Sequence, residues 1–97
     1  YLAKFNANDL NIEPAALQLL GDAYVQLEDY AKAAKAFGKA AASDNEIIAP
    51  MSLKKLGFVQ MELGNNNAAK VAFETIKNEY PMSAEAQDIE KYIAIVK

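Results

Sequence analysis

The sequence predicts an all-α solenoid of antiparallel helix pairs, and three observations predict it. Apolar residues recur at steps of three and four along most of the chain, as in Leu17, Leu20, Tyr24 and Leu27. Sustained period-two alternation of the strand type is absent. Most telling, the pattern returns at an offset of thirty-six residues: Leu17-Gln18-Leu19-Leu20-Gly21 as Leu53-Lys54-Lys55-Leu56-Gly57, Pro14 as Pro50, Leu27 as Leu63, Ala33 as Ala69 and Phe37 as Phe73. A sustained period of this size marks an array of helical pairs, none of which can bury its apolar face without a neighbour.

Five helices follow, over roughly 14–27, 30–42, 50–63, 66–79 and 83–96. Abundant alanine favours each of them. Pro14 and Pro50 fall in first turns, where a missing N–H costs little. Asp29 and Asn65, thirty-six residues apart, stand where the second helix of each pair needs an N-cap oxygen. Gly64 can end its helix in the left-handed conformation. Tyr80-Pro81 closes the fourth helix, and Ser83 caps the fifth with Glu85 near its positive end. The polar stretches Asn6–Asn11 and Ser43–Glu46 read as short loops between units.

The register also extends past both clear copies. Residues 1–7 read as the tail of a preceding unit's second helix, which makes the N-terminal end a cut edge. One repeat then covers 14–49, a second 50–82, and 83–97 forms a C-terminal capping helix. Ile89 and Tyr92 hold the places of Leu53 and Leu56, while Asp88, Glu90, Lys91 and Lys97 supply the polar outer face that a terminal element needs. The whole reads as a single domain.

Composition narrows the function. All ten basic residues are lysine, so the planar fork that best reads phosphates and guanine edges is missing, and nucleic acid is not an expected partner. Without cysteine there are no disulfides, thiolate zinc sites or cysteine nucleophiles. Histidine, the usual general base and commonest metal ligand, is absent as well. No catalytic residue, cofactor or metal is expected. No stretch approaches the ~18 apolar residues that span a bilayer, so direct membrane contact is not expected either.

Several repeated positions have a packing rationale. Gly21 and Gly57 allow the second helix of each pair to approach the first, with Ala33 and Ala69 as the opposing small residues. Phe37 and Phe73 fill the space between neighbouring units. Ile93 stands in the glycine slot of the last helix, which has no second helix to admit.

The pattern resembles the tetratricopeptide repeat, whose units place a large apolar residue, Leu-Gly, Tyr, Ala, Phe, Ala and Pro at fixed positions. In the first unit these fall on Leu17, Leu20-Gly21, Tyr24, Ala33, Phe37 and Ala40, with Asn45 where proline is expected. In the second they fall on Leu53, Leu56-Gly57, Ala69, Phe73 and Pro81, with Gln60 in place of tyrosine and Ile76 in place of alanine. The resemblance implies a right-handed solenoid of two full repeats plus a capping helix. The repeat is ordinarily about thirty-four residues long, and the two extra residues fit a longer loop around Ile12 and Ile48. A narrower resemblance, carried by Gly21–Tyr30, by Phe73–Pro81 and by Ser83, Ala86 and Ile89–Ile93, is to the C-terminal repeats of bacterial membrane-anchored, envelope-facing members. That group has an N-terminal transmembrane helix and associates with the Sec translocon and periplasmic chaperones. It implies a periplasmic location on an anchored parent, with the cytoplasm as the alternative.

In this family the first helices of the pairs line a concave groove. The resemblance maps that groove onto Gln18, Asp22, Val25 and Gln26 of one unit and Lys54, Phe58, Met61 and Glu62 of the next. Phe58 and Met61, three apart, make an apolar spot with a flexible thioether, and Lys54 and Lys55 beside them could meet an acidic group. The bland alternative is that these residues pack against further repeats or face solvent. One subclass grips a C-terminal carboxylate with groove lysines and asparagines, but the asparagine slots here hold Asp22 and Phe58, and Asp22 would repel such a ligand. Glu28 and Asp29, like Glu85, Asp88 and Glu90, read as solvated faces, and Asn65-Asn66-Asn67 reads as a turn. A protein or peptide in the groove is therefore the expected partner of a scaffold or adaptor; a structural self-association segment, forming a homo-oligomer, is the alternative.

Overall fold

A computed structural model describes residues 13–43 and 45–96. They form α1 (Pro14–Gln26), α2 (Tyr30–Ala41), α3 (Ile48–Glu62), α4 (Asn66–Glu79), a 3-10 turn at Ala84–Asp88 and α5 (Ile89–Ile95), with no strand among the described residues. The expected tail at 1–7 and the loop Asn6–Asn11 lie outside this range. Successive helices pack on one another through short connections, which makes neighbours antiparallel, and α1 also touches α3.

Local chemistry explains most boundaries. Pro14 opens α1 at a position whose N–H has no intrahelical acceptor. After α1 the chain reverses through Glu28 at φ 58°, and Asp29 caps α2 by accepting from the Lys32 N–H at 3.3 Å. Gly64, at φ 81°, makes the equivalent reversal after α3. Asn65 departs from the sequence expectation: its side chain makes no cap bond, and its Nδ2 donates across the turn to Gln60 Oε1 at 3.1 Å.

The expected loop at Ile48 is also corrected. Asn45 Oδ1 accepts from the N–H groups of both Ile47 and Ile48 at 2.9 Å, so α3 starts at Ile48. Pro50 is then the third helical residue, still among the positions that lack an intrahelical acceptor. The last helix is divided rather than continuous. Ser83 accepts from Ala86 N–H and donates to the Tyr80 carbonyl, which winds a tight 3-10 turn before α5 begins.

Among the described residues, buried side chains gather in two clusters. Ala33 and Phe37 of α2 meet Val59 of α3, so Phe37 does span the junction between pairs. Leu53, Ala69, Phe73 and Ile76 meet Ile89 and Val96, which seats α5 on the second pair. Leu56 touches both clusters. What lies against each interior glycine differs from expectation. A Cβ on Gly21 would meet the Phe37 ring at 2.5 Å, and one on Gly57 the Phe73 ring at 2.4 Å, so the close partner is an aromatic face rather than Ala33 or Ala69.

Candidate partner-binding groove

The first helices of the two pairs, α1 and α3, lie side by side, and their shared face contains an open depression of about 400 Å³. Val25, Tyr30, Phe58, Val59, Met61 and Glu62 line it. Four of these are residues that the sequence assigns to the groove: Val25 at the end of α1, and Phe58, Met61 and Glu62 on the last two turns of α3.

The other assigned residues stand elsewhere. Gln18 is only 7% exposed, and its Nε2 finds no hydrogen-bond partner among the described residues. Gln26 is exposed but does not line the depression. Asp22 accepts from Lys55 Nζ through both carboxylate oxygens, at 2.9 and 3.1 Å, tying α1 to α3. Lys54 reaches Asp88 at 3.2 Å and sits 5.0 Å from the centroid of the Tyr92 ring. Both lysines that could have met an incoming acidic group are therefore already engaged. Each pair has at least one partner about 40% exposed or more, which limits it to at most about 1 kcal/mol.

Phe58 joins the groove to α5. Its ring meets Tyr92 edge-on at 5.1 Å and Phe73 at 5.7 Å, while 37% of the residue remains open to solvent. Half-buried Met61 packs on the same cluster. Two lining residues escape the sequence reading. Tyr30 begins α2, directly after the Glu28-Asp29 turn, and that turn brings it beside Val25. Val59 is 4% exposed and forms the floor. Helical spacing from Val25 does not carry across that turn to Tyr30, and nothing in the repeat points to Val59.

Charge elsewhere serves attachment. Lys77 of α4 bonds Glu90 of α5, and the hydrogen bond, reinforced by Glu90's charge, raises the Lys77 pKa above the ordinary lysine value. Among the described residues no group of acidic side chains is arranged to hold a metal ion, and no helix is long and apolar enough to cross a membrane. The arrangement supports recognition by shape and apolar contact.

Comparison with known families agrees with this geometry. Residues 14–47 and residues 55–83 each match a family model described as tetratricopeptide repeat. The first match spans α1, α2 and the loop after them; the second runs from within α3 to Ser83. No curated protein and no solved structure matches the chain.

Proposed function

Because the chain belongs to the tetratricopeptide repeat family, whose repeats mediate protein–protein interaction, we propose that it seats a peptide or partner helix in the α1–α3 groove. One observation carries this reading: the depression is lined by Val25, Phe58 and Met61, with Val59 as its floor and Glu62 as its one charged residue. Such a surface takes the apolar stripe of an amphipathic helix or two alternate side chains of an extended peptide. The thioether of Met61 adapts to irregular ligands.

The module acts as a scaffold or adaptor and performs no chemistry of its own. The likeness of Gly21–Tyr30 and Phe73–Pro81 to envelope-facing members supports placing it on the periplasmic side of a bacterial membrane-anchored parent. Self-association is the second reading, favoured by Leu19 and Val71, which stand 65% and 63% exposed. Sedimentation at two protein concentrations separates the readings, since a strict monomer sinks the second.

Selection of a displayed random peptide library against the chain, followed by heteronuclear NMR, tests the groove. The selected peptides should shift the amides of Val25, Phe58, Met61 and Glu62. Their affinity should fall about tenfold or more in Phe58→Glu, as expected when an apolar anchor at the centre of an interface is lost. Phe58 also supports the core, so Glu62→Lys serves as the companion variant; it should change affinity and leave the melting temperature alone. Shifts confined to other surfaces, with both variants binding as wild type, would remove the groove from the function.

A further inference from the structure

A second surface lies away from the groove, where the loop between α2 and α3 meets the turn after α4. Two adjoining depressions there share Glu46, Ile47 and Ser83. Their apolar parts are large and open: Met82 is 94% exposed and Ile47 is 73% exposed, beside half-buried Met51 and Tyr80. Carboxylates rim this patch, Glu46 and Glu79 around one depression and Glu46 and Glu85 around the other, with no lysine in either lining. None of these three acids takes part in the ion pairs among the described residues, which use Asp22, Asp29, Asp88 and Glu90.

Both apolar tips are held in place. Asn45 Oδ1 accepts from the N–H of Ile47 at 2.9 Å, which fixes the backbone that presents it. Ser83 donates to the Tyr80 carbonyl at 2.7 Å, closing the turn that carries Pro81 and Met82. Displaying an isoleucine and a methionine from ordered turns gives the fold no burial in return, whereas a partner meeting them loses little freedom in ordering them.

We propose that this surface is a second docking site, and that its occupant is a basic partner segment with large apolar side chains set between lysines or arginines. The complementarity is specific. Apolar side chains cover Met82 and Ile47, while the cations meet Glu46, Glu79 and Glu85, which enter no ion pair among the described residues. An acidic segment is repelled by the same rim. The site is independent of the α1–α3 groove, so the chain can hold two protein segments at once.

The test uses three short fluorescent peptides: alternating lysine and leucine, the same with glutamate for lysine, and the same with serine for leucine. Fluorescence anisotropy at low and moderate salt reads the affinities. The lysine–leucine peptide should bind at least about tenfold more tightly than either control and weaken as salt rises. Met82→Ser, at a position too exposed to affect folding, should weaken it about tenfold, and Glu79→Gln about threefold. The amides that shift on titration should be those of Glu46, Ile47, Met82 and Ser83, and Glu62→Lys should leave the affinity unchanged. Equal binding of all three peptides, indifference to Met82→Ser, or shifts at Val25 and Phe58 instead would each overturn the proposal. So would a concentration-dependent dimer abolished by Met82→Ser, which would make a second copy of the chain the occupant.

Discussion

Gly21 lies beneath the ring of Phe37 in one helix pair, and Gly57 lies beneath Phe73 in the next. Ala33 and Ala69 are fully buried at equivalent places. The open faces diverge. The slot that holds Asp22 in α1 holds Phe58 in α3, the first tied to Lys55 and the second set edge-on against Tyr92. The turns diverge too, with Glu28 in the left-handed backbone that Gly64 adopts in the second pair. Packing inside a pair tolerates few solutions and so repeats; the outward slots carry no such constraint, and there the two units can do different work.

The shared interior is where the comparison can be broken hardest. Alanine at Gly57 or Gly21 places a Cβ within 2.5 Å of a ring that is at most 1% exposed and cannot swing aside. Each change should cost about 2–3 kcal/mol by overpacking, read as a lower urea midpoint at unchanged slope. A clear inequality between the two would show that the pairs are not equivalent inside.

The outward slot should give a smaller, asymmetric response. Phe58→Ala loses two aromatic contacts and part of its buried area, about 2 kcal/mol. Asp22→Ala breaks a half-exposed ion pair and should cost no more than about 1 kcal/mol. The same denaturant titration measures both, and equal losses would erase the proposed difference between the slots.

The turns sharpen the contrast with opposite signs. Glu28→Gly removes the cost of holding a side chain at φ 58° and should stabilise by about 0.5–1 kcal/mol. Gly64→Ala imposes that cost at φ 81° and should destabilise by about 1 kcal/mol. Thermal melts suffice; a loss on Glu28→Gly would mean that the Glu28 side chain supports the turn.

The smallest effect concerns the joint between α4 and α5. Lys77 has a raised pKa because of Glu90, so whatever stability the bond adds is present below the ordinary lysine pKa and is lost as pH rises through the folded value. Both side chains are more than half exposed, and Lys77→Met should leave the melting temperature at neutral pH within error. A clear drop would mean that charge, rather than Ile89 and Val96, holds the last helix in place.

How far the sequence could be read follows from where each residue's partner lies. The thirty-six-residue offset placed both interior glycines and both phenylalanines, because packing inside a pair is local and shares one period. It faltered where the partner belongs to another element or to a turn. Asn65 has the right chemistry for a cap but bonds Gln60 instead. Pro50 marked the start of α3, but Asn45 set it earlier, at Ile48. Gln18 shares a helix face with Asp22 and Val25, and spacing alone could not reveal that it is buried. Tyr30 entered the groove from a different helix, beyond the reach of a one-helix periodicity.

Phe58 belongs at once to the groove and to the contact that seats α5. Linkage follows from that shared ring. A ligand that fixes Phe58 in the arrangement facing Tyr92 also makes the opening of α5 rarer, and fraying of α5 weakens the ligand by the same factor. Hydrogen exchange at the amides of Ile93–Ile95 would then register occupancy of a site to which those residues do not belong. Helix α5 would then act as a gauge of what the α1–α3 groove is holding.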